Sequence, residues 1–256
     1  LGDVYKRQII TTAEWSNYFI DLYDAKNLED KEKRAVVLSE IGIAISALNG
    51  VTERDLGITF ELVDGCDDLI EFDTNSDGLT NDDKFKTIYE GAQIINSRIG
   101  LANFDIGHSF YNGGGGLAAL GALCGGSGKA RGTSGGLTGI GFHFVFAHEI
   151  GHMLGAPHTF NNAEGFGAGG NMVESAAGAT IMGYGERKER NLYYHALSIK
   201  EMSQTIKNAS CGTFLTENTN ESPKYVSEPE KKSFTIPAGT PFLLGENFEI
   251  NDNNNK

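Results

Sequence analysis

The segment His148-Glu149-Ile150-Gly151-His152-Met153-Leu154-Gly155-Ala156-Pro157-His158 constrains this chain more than any other. It reads HExxHxxGxxH. Two histidines four apart on a helix share a face, one turn above the other, so both imidazoles can reach one point. Glu149 follows the first of them and projects beside that point. A third histidine reaches the same point only if the chain leaves the helix and turns back. Gly155 suits that turn, because glycine accepts the left-handed conformation that ends helices. Three neutral imidazoles are a ligand set for zinc, and they leave the fourth position of a tetrahedron open to water. HExxH alone also arises on solvated helix faces; the extension through Gly155 and His158 favours a metal site. His148, His152 and His158 are therefore candidate zinc ligands, with Glu149 as the candidate general base.

The extended motif resembles that of the metzincin metalloproteases, a clan with a downstream methionine turn beneath the ligands. Residues 179–185 (ATIMGYG) fit that turn, with Met182 as its methionine and an ordinary core methionine as the alternative. Residues 103–110 (NFDIGHSF), 113–123 (GGGGLAALGAL), 129–132 (KARG) and 193–199 (YYHALSI) resemble bacterial reprolysin-like peptidases. The resemblance covers about residues 9–212. One departure is Thr159, where adamalysin-type reprolysins carry aspartate; His158-Thr159-Phe160 also resembles the pappalysin branch. The resemblance implies an α/β catalytic domain with a twisted mixed sheet, a long active-site helix and a mostly irregular lower subdomain. It further implies a secreted zinc endopeptidase acting on protein or peptide substrates. Tyr184, two residues after Met182, is the candidate oxyanion stabiliser, against a packed aromatic of the lower subdomain. A pappalysin-type protease, a zinc hydrolase of a non-peptide bond and a non-catalytic zinc-stabilised adhesion module are the competing readings. Glu149 argues against the last, since a binding module needs no carboxylate beside the metal.

The remaining composition narrows little. A net charge of −13 offers no basic patch for nucleic acid. No apolar run is read as long enough to span a membrane. Cys66, Cys124 and Cys211 lack a metal-ligand spacing and allow at most one disulfide, the pair left open.

Along the chain, residues 1–8 match the translation of a sequencing-library adapter and are set aside, which implies that an authentic first strand is mostly missing. The catalytic domain is read as 9–212, a linker as 213–232 and the start of a C-terminal β-domain as 233–256. Apolar periodicity predicts helices over 30–49, 83–98, 142–154 and 195–207, with Asn49-Gly50 ending the first. Strands are expected over 56–62 and 104–110. Residues 117–123 read as an exposed edge strand able to pair with extended substrate, or as a flexible glycine loop. Residues 73–78 (DTNSDG) open like a calcium loop, but Lys84 stands where a bidentate glutamate is required, which favours a polar turn.

Overall fold

The computed structural model describes residues 3–161, 171–184 and 191–213. The chain divides into a compact unit Leu1–Leu215 and a second unit Thr216–Lys256. The second lies outside the described residues, as do the proposed C-terminal β-domain and all of the linker but Thr213.

Five strands form one mixed sheet in the order β2-β1-β3-β5-β4. They are β1 (Asp3–Thr11), β2 (Ile58–Leu62), β3 (Ile106–Tyr111), β4 (Gly116–Ala118) and β5 (Gly132–Gly135). The first four in spatial order run parallel, and β4 closes one edge antiparallel to β5. Helices α1 (Ala13–Leu22), α2 (Asp30–Leu56) and α4 (Gly139–Met153) share the larger apolar core, around Trp15, Phe19, Ile41, Leu48, Phe110 and Phe146. A separate, smaller core joins Ile10 and Phe104 to Ala92 and Ile95 of α3 (Lys84–Arg98). Helix α5 (Ala196–Lys207) completes the set. Because parallel strands are covered on both faces, β3 is buried at every residue rather than alternating as the sequence pattern suggested.

Several boundaries differ from expectation for identifiable reasons. α2 does not stop at Asn49-Gly50 but runs to Leu56, with Gly57 as its left-handed cap at φ 67°. Val51 and Thr52 continue its buried face, and the Asn49 side chain does not cap the helix. Instead it brackets the Phe60 backbone, accepting from Phe60 N–H and donating to Phe60 O, both at 2.9 Å. β2 accordingly starts at Ile58. α1 was not expected; Thr12 caps it, accepting from Trp15 N–H at 3.3 Å. α2 also corrects the statement on apolar runs. A window within it has mean hydropathy 1.6 and is long and apolar enough, by length and composition, to cross a membrane. In this fold its residues Val37, Ile41, Ala44 and Leu48 are buried in the core.

The N-terminal residues form a strand. Asp3 to Arg7 pair with β2 and Arg7 to Thr11 with β3, so β1 lies inside the sheet and the expected gap is filled. Arg7 is fully buried there, and none of its three guanidinium nitrogens has a hydrogen-bond partner. The guanidinium lies over the rings of Phe60 and Phe146, at 5.1 and 4.4 Å. Cys124 and Cys211 form the disulfide, and Cys66 is a buried thiol.

Candidate metal centre and cleft

α4 is apolar around most of its circumference, burying Phe142, Phe144, Phe146, Ala147, Ile150 and Met153. That burial fixes the rotation of the helix and so the direction of its two histidines. Beyond Met153 the chain reverses: Gly155 N–H donates to His152 O at 2.8 Å and Ala156 N–H to Gly151 O at 2.9 Å. Gly155 takes φ 102°, and a β-carbon there would stand 2.3 Å from Thr205 Oγ1, so both conformation and space demand glycine. The reversal brings His158 back over α4.

The three Nε2 atoms form a near-equilateral triangle, with 3.1 Å between His148 and His152, 3.2 Å between His148 and His158, and 3.0 Å between His152 and His158. The outer nitrogens fix the tautomers of the two helical ligands. His148 Nδ1 lies 2.6 Å from Ile181 O, and His152 Nδ1 lies 2.7 Å from Ala156 O. A carbonyl can only accept, so each Nδ1 carries the proton and each Nε2 presents a lone pair to the triangle. Lone pairs facing one another at this distance repel unless a cation lies between them. Zinc–nitrogen bonds of about 2.0–2.1 Å put tetrahedral ligand atoms about 3.3 Å apart, so the triangle fits a zinc ion. Burial, then the neighbouring His158, holds the His152 imidazole down to about 4, which keeps it neutral and able to ligate.

Glu149 is 5% exposed, and burial lifts its carboxyl to about 8, against the opposing pull of Lys84. It stands against β4: a β-carbon on Gly116 would lie 2.5 Å from Glu149 Oε1 and Cγ. Gly116 thus packs directly against the candidate base, a contact that the motif itself does not reveal. Gly116→Ala is expected to displace the carboxylate and lower kcat by about 100-fold, as misplacement by about 1 Å does for a catalytic group. Zinc content should be unchanged. Steady-state kinetics with metal analysis checks this, and a kcat within twofold of wild type would remove Gly116 from the site.

Met182 is fully buried beneath α4, its Sδ 2.4 Å from where a β-carbon on Gly151 would stand. Its carbonyl accepts from Thr159 N–H at 3.2 Å, next to the third ligand. Tyr184 joins the metal centre: its ring centroid is 5.7 Å from that of His148 and 4.7 Å from that of His158. Burial, then Glu149, raises its phenol above the ordinary value. The remaining histidines lie elsewhere. His108 is buried with Nε2 2.9 Å from Ser134 Oγ, and His195 caps α5. In the segment weighed for calcium, the oxygens meet protein donors: Asp77 accepts from Ala13 and Leu79 N–H, and Asn81 from Thr12 Oγ1 and Asn112 N–H. The turn thereby ties the start of α1 to the approach to β4.

The edge strand is shorter than expected, three residues rather than seven. After Ala118, Ala119 N–H still donates to Arg131 O, but Gly121 and Leu123 then turn onto His152 O and Met153 O at the end of α4. Gly116, Leu117, Ala118 and Leu120 wall a cleft of about 310 Å³ with the three histidines, Glu149, Pro157 and Tyr184. A larger depression of about 690 Å³, lined by Lys6, Asp64, Asp68 and Arg98, shares none of these residues. Among the described residues, only the triad gathers metal-ligating side chains closely enough to hold an ion.

A search of curated proteins found no match. Among solved structures, a chain from "Structure of a chaperone-substrate complex" is 13% identical over 81% of this chain and 34% of that one, with a TM-score of 0.48. Metalloproteinase-II from Bacteroides fragilis is 16% identical over 80% of this chain and 53% of that one, also at 0.48. The chain thus spans about a third and about half of these two, and neither likeness bears on activity. Residues 38–159, which include Glu149 and all three histidines, match the model of the family described as Metallo-peptidase family M12B Reprolysin-like. The chain carries a reprolysin-type (M12B) metalloprotease domain, with His148, His152 and His158 as its candidate metal site.

Proposed function

We propose that the protein is a zinc-dependent endopeptidase acting on extended protein segments. The observation that carries this is the convergence of three imidazole nitrogens, two of them fixed as lone-pair donors, beside a buried carboxylate at the foot of a strand edge. A zinc ion held by His148, His152 and His158 supplies Lewis acidity, which activates water near neutral pH and polarises a carbonyl. Glu149 takes the proton from the attacking water and later delivers it to the leaving amine. Its buried setting keeps bulk water from competing for that proton.

β4 offers the substrate a backbone partner. Gly115 O and Ala119 N–H face β5, as does Leu117, so the backbone groups of Gly116 and Ala118 face the open side. A peptide laid along them adds a strand regardless of its sequence, and the small side chains let it approach. The Tyr184 ring packs on His148 and His158, and its hydroxyl is the proposed donor to the developing oxyanion. Tyr184→Phe is expected to lower kcat roughly 100-fold with KM little changed. Unchanged kcat would leave Tyr184 as a packed aromatic.

We place the enzyme outside the cell, a location supported by family resemblance and by the Cys124–Cys211 disulfide, which oxidising compartments sustain. The test of the function is casein cleavage that is lost on chelation and restored by zinc. A chain that binds zinc but cleaves nothing would instead be a peptide-binding module.

A further inference from the structure

The segment between the third ligand and the methionine turn carries no motif, yet one side chain in it holds both together. The Glu174 carboxylate accepts four hydrogen bonds. Oε1 takes the backbone N–H groups of Ala179 and Thr180, each at 3.0 Å. Oε2 takes the hydroxyl of Thr180 at 2.6 Å and that of Thr159. The backbone of Glu174 adds two more, donating to Thr159 O at 2.9 Å and accepting from Asn161 N–H at 3.0 Å. Thr159 directly follows His158, and Thr180 precedes Ile181, whose carbonyl receives the Nδ1 proton of His148. One carboxylate therefore links the backbone carrying the third ligand to the carbonyl that orients the first.

We propose that Glu174 is a positioning residue of the metal centre, setting the distance and orientation of His158 relative to His148. Thr159 occupies the position where the adamalysin-type pattern has aspartate, and its hydroxyl reaches a carboxylate fifteen residues further along. Geometry, not charge, does the positioning. The two N–H donors both meet Oε1, while among the described residues Oε2 meets hydroxyls, which can rotate to accept instead. Glutamine can therefore keep every contact, with its carbonyl at Oε1 and its amide donating to the two threonines. Alanine keeps the two backbone bonds to Thr159 and Asn161 but none of the four that the carboxylate accepts.

The inference rests on the metal-site half of the proposed function and is independent of proteolysis. The test is zinc affinity, measured by competition with a chromophoric chelator, on wild type, Glu174→Ala, Glu174→Gln and Thr159→Val. Glu174→Ala is expected to bind zinc about 10–100-fold more weakly, the range for losing a group that orients a ligand. Glu174→Gln is expected to stay within about threefold of wild type. Thr159→Val removes one hydroxyl from an otherwise intact network, so a loss of several-fold is expected with the zinc-free thermal transition unmoved. That split separates positioning of the site from general stability, and it decides the question even if Glu174→Ala does not fold. Wild-type zinc affinity in Thr159→Val, or in a folded Glu174→Ala, would overturn the proposal, as would a glutamine variant as weak as alanine. A wild-type chain with no zinc affinity would overturn the metal site itself, and Glu174 with it.

Discussion

Glu149→Ala is expected to lower kcat by at least about 10³-fold while leaving bound zinc at the wild-type level. General acid–base groups contribute about 10²–10⁴-fold, and here one carboxylate serves both the attack and the departure of the amine. The effect should reach the upper part of that range because no other acid lines the cleft among the described residues. Glu149 is the acid that lines it, between Gly116 and the triad. Zinc should be retained because the carboxylate is not among the three nitrogens that converge. Glu149→Gln, which keeps shape and hydrogen-bonding but cannot accept the proton, should match alanine. Stopped-time casein assays with metal analysis of the same samples check this. A glutamine variant with more than a tenth of wild-type kcat would show that Glu149 orients the site without moving a proton.

The second large effect concerns stability. Arg7→Leu is expected to stabilise the domain by about 3 kcal/mol, because burying an unsatisfied guanidinium costs several kcal/mol and an apolar replacement removes that cost. For a domain of this size that raises Tm by roughly 6–12 °C. The opposing loss is the two ring contacts with Phe60 and Phe146. Each is worth about 2 kcal/mol or more when desolvated, and leucine recovers part of that as burial against the same rings. Burial lowers the Arg7 guanidinium to about 9. The folded-state value lies below the unfolded one, so the folded state is penalised at every pH below about 9 and is relieved only above it. A calorimetric comparison at pH 7 therefore samples the whole difference. A lower Tm for Arg7→Leu would show that the cation between the two rings is a net structural contact.

The metal centre was the most legible part of this chain because its geometry is local. The i, i+4 spacing sets two ligands, and one glycine sets the return of the third. Met182 and Tyr184 were legible through resemblance, and the structure brings both to the triad. What escaped notice depends on distant partners. Nothing near Asn49 announces that Phe60 will occupy its side chain, so a residue that reads as a helix stop leaves the helix free to continue. Gly116 is one glycine among four in a row until the fold sets it against Glu149. Glu174 gains meaning only when residues 159 and 180 meet across it. The disulfide pair, left open on spacing alone, is decided by the turn after β4 meeting the segment that follows α5.

The place of β1 inside the sheet has a consequence for synthesis. Its two neighbours in the sheet arrive late, since Asp3 awaits Ile58 and Arg7 awaits Ile106, and Val4 also bridges to Thr213. At about 5–20 residues per second, the strand leaves the ribosome roughly 5–20 s before β3 exists to cover it. Such non-local pairing folds slowly, because closure entropy is incurred before the contacts form. The nascent chain thus carries an apolar, β-prone segment, Ile9 and Ile10 included, that is not paired on both sides until β3 has been made. Yield of folded protein should accordingly depend on holdase chaperones and on translation speed more than on the equilibrium stability of the finished domain.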